Sequence, residues 1–209
     1  MIIRHLGAAI LFALFMTASC SRQEEGFTAA EKKIINGSDS IMRVLTIEDE
    51  SDLAVLRTSS TDLSLVGLKS DEYDKLAELM VATVTHPSQD GVGIAAPQVG
   101  INRRIVAVQR FDKEEIQPDG SVLNPFEVYP NIRIVWKSDS LAAGPEGCLS
   151  VPDRRGDVMR SQEIVIEYAD VTRLGEENNM VRDTVSGFTA VIFQHEIDHL
   201  EGVLYIDRL

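Results

Sequence analysis

Cysteine is nearly missing from this chain, with two residues in 209. That excludes a disulfide-stapled scaffold, which needs several pairs. Positive charge is also short. Twenty Lys and Arg stand against 33 Asp and Glu, a net charge of −13. Such a chain lacks the basic footprint that phosphate backbones require, so nucleic acid is not an expected partner. Docking on anionic lipid through a basic patch is excluded for the same reason. No apolar run is long enough to span a bilayer, and no internal repeat is visible. What is present is ordinary for a globular protein: 44% hydrophobic and 25% charged residues. The length fits one domain with a short appendage and can bury a real core.

One apolar run stands at the start. Leu6–Ala18 is 13 residues long, preceded by Arg4 and His5 and followed by Ser19, Cys20 and the polar stretch Ser21–Glu25. A positive start, an apolar segment of that length and small residues at the cut describe a secretory signal. With Cys20 at the boundary, residues 1–20 are similar to a bacterial lipoprotein signal, whose cysteine is acylated after cleavage. The departure is Thr17, where such signals usually carry an aliphatic side chain. Residues 21–40 then read as a flexible polar tether and 41–209 as the folded domain. The expected location is the cell envelope, with the membrane touched only through lipid on Cys20. The alternative is a cytoplasmic protein to which residues 1–40 are irrelevant. If Cys20 is lipidated, Cys148 is the remaining thiol, and a lone thiol in an oxidising compartment is a liability unless something uses it.

The domain reads as α+β. Ile41–Leu68 mixes short apolar pieces with Asp, Ser and Thr and suggests extended or looped chain. Ser70 with Asp71 and Glu72 starts a helix, acids lying at its positive end. Tyr73, Leu76, Ala77, Met80, Val81 and Val84 continue at helical spacing until Pro87. Arg104–Gln109, Val128–Trp136, Glu163–Ala169 and Met180–Val185 read as strands, with turns at Asp119-Gly120 and Gly175–Asn179. Ser186 caps a helix that runs to about Leu200 and stops at Gly202.

That last helix carries the chemistry. Its first half, Phe188 to Phe193, is apolar nearly all round, which predicts burial. Buried polar groups without partners cost a few kcal/mol each (about 2–7), so Gln194, His195, Glu196, Asp198 and His199 need a reason to follow it. His195 and His199 are four residues apart, so they lie about 40° apart on one face, one turn above the other. Two imidazoles so placed can bind one metal ion, with Glu196 beside it as general base. The bland alternative is a pair of surface histidines on an acidic helix end. Two histidines need a third ligand, and Cys148 in Glu146-Gly147-Cys148-Leu149-Ser150 is the candidate. Taken alone, it is better read as a small buried hydrophobe. Gly91–Gln98 (GVGIAAPQ) is a thin backbone segment against which an extended peptide could lie, and Gln98 offers amide donors to a developing oxyanion. Taken alone, that segment is a tight turn. It lacks the third glycine of a dinucleotide loop.

Together the three segments resemble the peptide deformylase family, whose motifs are G-x-G-x-A-A-x-Q, E-G-C-L-S and Q-H-E-x-D-H. They stand intact and in order at Gly91–Gln98, Glu146–Ser150 and Gln194–His199. The resemblance covers roughly Val44 to Leu209. It implies an α+β fold with the motif helix among antiparallel sheets. It implies a metal site of Cys148, His195 and His199, commonly Fe2+, with Zn2+, Ni2+ or Co2+ also able to occupy it. Glu196 would take a proton from the attacking water and pass it to the leaving amine. Gln98 and the Leu149 N–H would hold the oxyanion. Gly93 and Ile94 would meet the substrate backbone, with Arg155 as a further substrate contact. The implied substrates are N-formyl-methionyl peptides or proteins, and a monomer is expected. Two other readings stay open: a metallopeptidase, disfavoured by Cys148, and a non-catalytic metal-binding lipoprotein, disfavoured by Glu196. Arg160, ahead of Arg155, is expected to pair with Glu146 and brace the Cys148 loop.

Overall fold

Thr28-Ala-Ala-Glu31 is a helix-start pattern, and it nucleates the first element of a computed structural model that describes residues 26–176 and 179–209. The Glu31 N–H donates to the Thr28 hydroxyl at 3.2 Å, and the Thr28 N–H donates to the Glu31 carboxylate at 2.7 Å. Helix α1 (Ala29–Asn36) follows, with Ile35 fully buried beside Phe27 in the main core. Arg103 donates to Glu31 at 2.7 Å and fastens the helix from outside. The tether expected over 21–40 is therefore corrected: from Phe27 onward the chain is packed, because one apolar face repays the ordering. The signal, Cys20 and residues 21–25 lie outside the described residues.

Residues 41–68 are also more helical than expected. They hold α2 (Glu50–Leu56) and α3 (Leu65–Leu68), each started by a side-chain cap, from Asp49 and Ser64 respectively. Short capped turns leave too few residues for a periodic signal. Helix α4 (Asp71–Val84) forms as its spacing predicts.

The strands are antiparallel throughout their pairings. One sheet runs β1 (Gly93–Ala95), β2 (Ile105–Gln109), β5 (Phe126–Pro130). A second places β9 (Glu163–Ala169) between β6 (Arg133–Lys137) and β10 (Met180–Ser186). The small hairpin of β3 (Glu115–Ile116) and β4 (Val122–Leu123) turns at Gly120, and the long hairpin of β7 (Leu141–Cys148) and β8 (Val151–Ser161) stands apart. The single strand expected over 128–136 is two. Asn131 breaks it at φ 54°, and its side chain ties the break to Leu63 through bonds of 2.7 and 2.9 Å.

Alternation along β2 builds two cores. Ile105 and Ala107 face the cluster with α4, whereas Val106 and Val108 face a cluster with helix α5 (Gly187–Leu200). Ile164, Ile166 and Val185 of the second sheet join that same cluster, with Phe193 and Ile197 of α5. Helix α5 is thus held by both sheets. Its Ser186 cap position makes no side-chain bond, and Gly202 ends it at φ 70° with its N–H on the His199 carbonyl at 3.1 Å. Phe188 departs from the expected burial: it is 56% exposed at the helix start and packs in a tilted contact with Phe111, ring centroids 5.2 Å apart.

Candidate metal centre and substrate cleft

The buried second half of α5 presents His195 and His199 one turn apart, as their spacing requires. The third side chain arrives from the end of β7. The β7–β8 register slips between Glu146 and Cys148. Such an irregularity re-aims a side chain, and here it turns Cys148 onto α5. Its Sγ lies 3.2 Å from His199 Nε2. Ligand atoms of Cys148, His195 and His199 all fall within 4.8 Å of one another, close enough to share one ion.

The supports of this trio are charged and buried. His195 Nδ1 meets Glu146 Oε2 at 2.8 Å, which leaves Nε2 for the centre. Arg160 forks Glu146 at 2.7 and 2.9 Å and reaches Asp198 at 2.5 Å. The expected Glu146–Arg160 pair is present, and Arg155 takes no part in it. Burial pushes the Glu146 carboxyl up, but Arg160 and His195 reverse this and hold it at about 2. Burial lowers the His195 imidazole, while Cys148 and Glu146 raise it to about 10. Burial drives His199 well below its ordinary value.

Glu196 is buried at the floor of a cleft, and burial raises it to about 7. Its Oε2 has no hydrogen-bond partner among the described residues. Its Oε1 occupies space that Gly93 leaves open: a Cβ on Gly93 would sit 2.6 Å from that oxygen and 2.8 Å from Ile192 Cγ2. Gly93→Ala should therefore displace the Glu196 carboxylate, with an overpacking cost of about 1–3 kcal/mol. We expect turnover to fall at least tenfold at equal metal content. Steady-state kinetics with kcat at the wild-type level would contradict this.

A cleft of about 780 Å³ opens over these groups, lined among others by Gly93, Gln98, Leu149, Arg155 and Phe188. The Ala95 N–H donates to Gln98 Oε1 at 2.8 Å, which fixes the amide with its NH2 toward Ser150 Oγ at 3.2 Å and Cys148 Sγ at 3.5 Å. Strand β1 is an edge strand. The Gln109 N–H bonds the Val92 carbonyl at 2.9 Å. By the alternation of antiparallel pairing, Ile94 turns its polar groups to β2, and Gly93 turns its own outward. Ile94 is corrected on this ground. Its backbone faces Ala107 and its side chain is fully buried in the α4 core, so it meets nothing in the cleft.

The sequence profile of polypeptide deformylases matches residues 41–209. The chain belongs to the peptide deformylase family. The peptide deformylase of Leptospira biflexa is 38% identical over 156 residues, 74% of this chain and 82% of that one. Peptide deformylase 2 of Gloeobacter violaceus is 39% identical over 155 residues, 74% of each. Among solved structures, a Met-Ala-Ser-bound class I type b peptide deformylase from Acinetobacter baumannii has a TM-score of 0.66 at 35% identity. It covers 81% of this chain and 98% of that one. The Thermotoga maritima peptide deformylase has a TM-score of 0.65 at 31% identity, covering 82% and 99%. Peptide deformylases are enzymes, and the activity of this one is metal-dependent removal of the formyl group from N-terminal methionine.

Sequence reasoning marked Asp198 as a buried group in need of a reason without naming its partner, and it missed Ser150 and the C-terminal residues as parts of this deformylase site. Asp198 sits inside the histidine motif, and a buried carboxylate there signals a cationic partner.

Proposed function

We propose that Cys148, His195 and His199 hold the divalent cation, with Fe2+ the first choice and Zn2+, Ni2+ or Co2+ alternatives. One thiolate and two imidazoles form a donor set suited to these ions and poorly suited to Mg2+ or Ca2+. The ion, when bound, supplies Lewis acidity. Glu196 takes a proton from the attacking water and delivers it to the leaving amine. Its bare Oε2 fits that role, since a proton donor joins it only during reaction. Gln98 Nε2 and the Leu149 N–H hold the oxyanion. The substrate backbone lies along Gly93 as an added strand, and Arg155 at the rim of the cleft contacts it further on. The observation that carries this assignment is the packing of Glu196 against Gly93, beside three convergent donors. Purified protein assayed on formyl-Met-Ala-Ser and acetyl-Met-Ala-Ser tests it. Release of formate, with no acetate and no cleavage of the internal bonds, is expected. Cleavage of internal amide bonds would replace the reading with that of a peptidase, and metal binding without hydrolysis would replace it with that of a binding protein.

We also propose that the mature chain begins at a lipidated Cys20, as a monomer in the cell envelope. Packed structure begins by Phe27. The six residues between them can extend at most about 20 Å, so the domain would ride close to the bilayer. More than one acyl chain is needed for stable anchoring. Substrates would then be exported peptides that retain formyl-methionine. Wild-type protein should sediment with membranes and incorporate labelled palmitate, and Cys20→Ala should lose the label and keep activity. Unlabelled wild-type protein in the soluble cytosol would refute this.

A further inference from the structure

The last five residues close the back of the metal-binding helix. After Gly202 a 3-10 turn (Tyr205–Arg208) folds against α5. Tyr205 is buried, and its ring stacks on His195 with centroids 6.0 Å apart and planes 23° apart. Asp207 accepts the Leu204 N–H at 2.8 Å and pairs with Arg57. Arg208 forks Asp198, Nε to Oδ2 at 2.5 Å and Nη2 to Oδ1 at 2.6 Å.

The same Asp198 oxygen that Arg208 contacts also accepts from Arg160 at 2.5 Å. A continuous chain of charge-assisted bonds therefore runs Arg208, Asp198, Arg160, Glu146, His195. Charge along it alternates: two guanidiniums serve two carboxylates. Arg160 forks Glu146 through Nε and Nη2 and reaches Asp198 through Nη1, so without Arg208 one guanidinium would have to serve both carboxylates. Arg208, whose side chain is 40% exposed, supplies the second positive charge from the surface.

We propose that Arg208 is a positioning residue for the metal centre. By pairing with Asp198 it fixes the carboxylate that Arg160 Nη1 rests on, which keeps Arg160 Nε and Nη2 aimed at Glu146, and Glu146 in turn fixes the His195 ring with Nε2 toward the ion. This rests on the assignment of His195 as a ligand. Groups that orient a metal-bound histidine typically contribute 10–100-fold in metal affinity. Arg208 acts at the far end of the chain of bonds, so its removal should weaken metal binding by about tenfold.

Competition with a chromogenic chelator, using Co2+ or Zn2+ on the full chain, tests this. The set is wild type, Arg208→Ala, Arg208→Lys, Asp198→Asn, the double variant Arg208→Ala/Asp198→Asn and, as the ligand control, His195→Ala. We expect Arg208→Ala to bind about tenfold more weakly and Arg208→Lys to recover part of that loss. In the Asp198→Asn background, Arg208→Ala should add no further loss, because the carboxylate that Arg208 fixes is gone. A general structural role for the C-terminal turn would instead give additive losses, and that result would overturn the proposal. So would wild-type affinity in Arg208→Ala. Stoichiometric metal lost in His195→Ala but unaffected in Arg208→Ala refutes the positioning role alone. Metal binding unaffected in His195→Ala refutes the ligand assignment beneath it.

Discussion

Glu196→Gln is expected to keep its metal and lose turnover by about 10²–10⁴-fold, the usual contribution of a positioned acid or base. The amide has the shape of the carboxylate, so it fills the space beside Gly93 without a clash. The cluster able to share one ion is Cys148, His195 and His199, and Glu196 is not part of it. Proton transfer is therefore the property removed. Rates of formate release should be compared at equal metal content per chain. A variant that retains more than a tenth of wild-type kcat would remove Glu196 from its role.

Cys148→Ser is expected to weaken metal binding by more than a hundredfold. Groups in the outer shell of metal sites already contribute about 10–100-fold, and Cys148 stands in direct reach of His199 Nε2 at 3.2 Å. Serine is nearly isosteric, so the β7 end should keep its course. Its neutral hydroxyl is a poor replacement for a thiolate toward iron or zinc. Equilibrium dialysis with chelator-buffered Zn2+ gives the number. Unchanged affinity in a folded Ser variant would place Cys148 outside the coordination shell.

The parts of the site that were legible share one property: their geometry is local. The spacing of His195 and His199 fixes their common face on any helix, so sequence suffices for two of the three residues proposed as ligands. Glu146, Cys148 and Leu149 lie on one short segment, as do Gly93 and Gln98, and their motifs survive as contiguous strings. The pairing of Arg208 with Asp198 escaped because it depends on a 3-10 turn folding back on α5. Nothing in local spacing announces that return. Ile94 was misassigned because facing in an edge strand is set by its partner, and the Val92–Gln109 bond that decides it is tertiary. In the fold, α4 was legible because it has 14 residues of period. Helix α1 was missed through its polar composition, although Thr28-Ala-Ala-Glu31 carries the capping signal in plain sequence. The break at Asn131 was hidden because the residues on either side of it share strand-like alternation.

X-ray absorption spectroscopy on the metal-loaded wild-type protein tests the central claim most directly, since it reads the ligand atoms themselves. With zinc, the account predicts one ion per chain with one sulfur at about 2.3 Å and two imidazole nitrogens at about 2.0–2.1 Å. A shell of oxygen and nitrogen alone, or less than one bound ion per chain at saturating zinc, would contradict it.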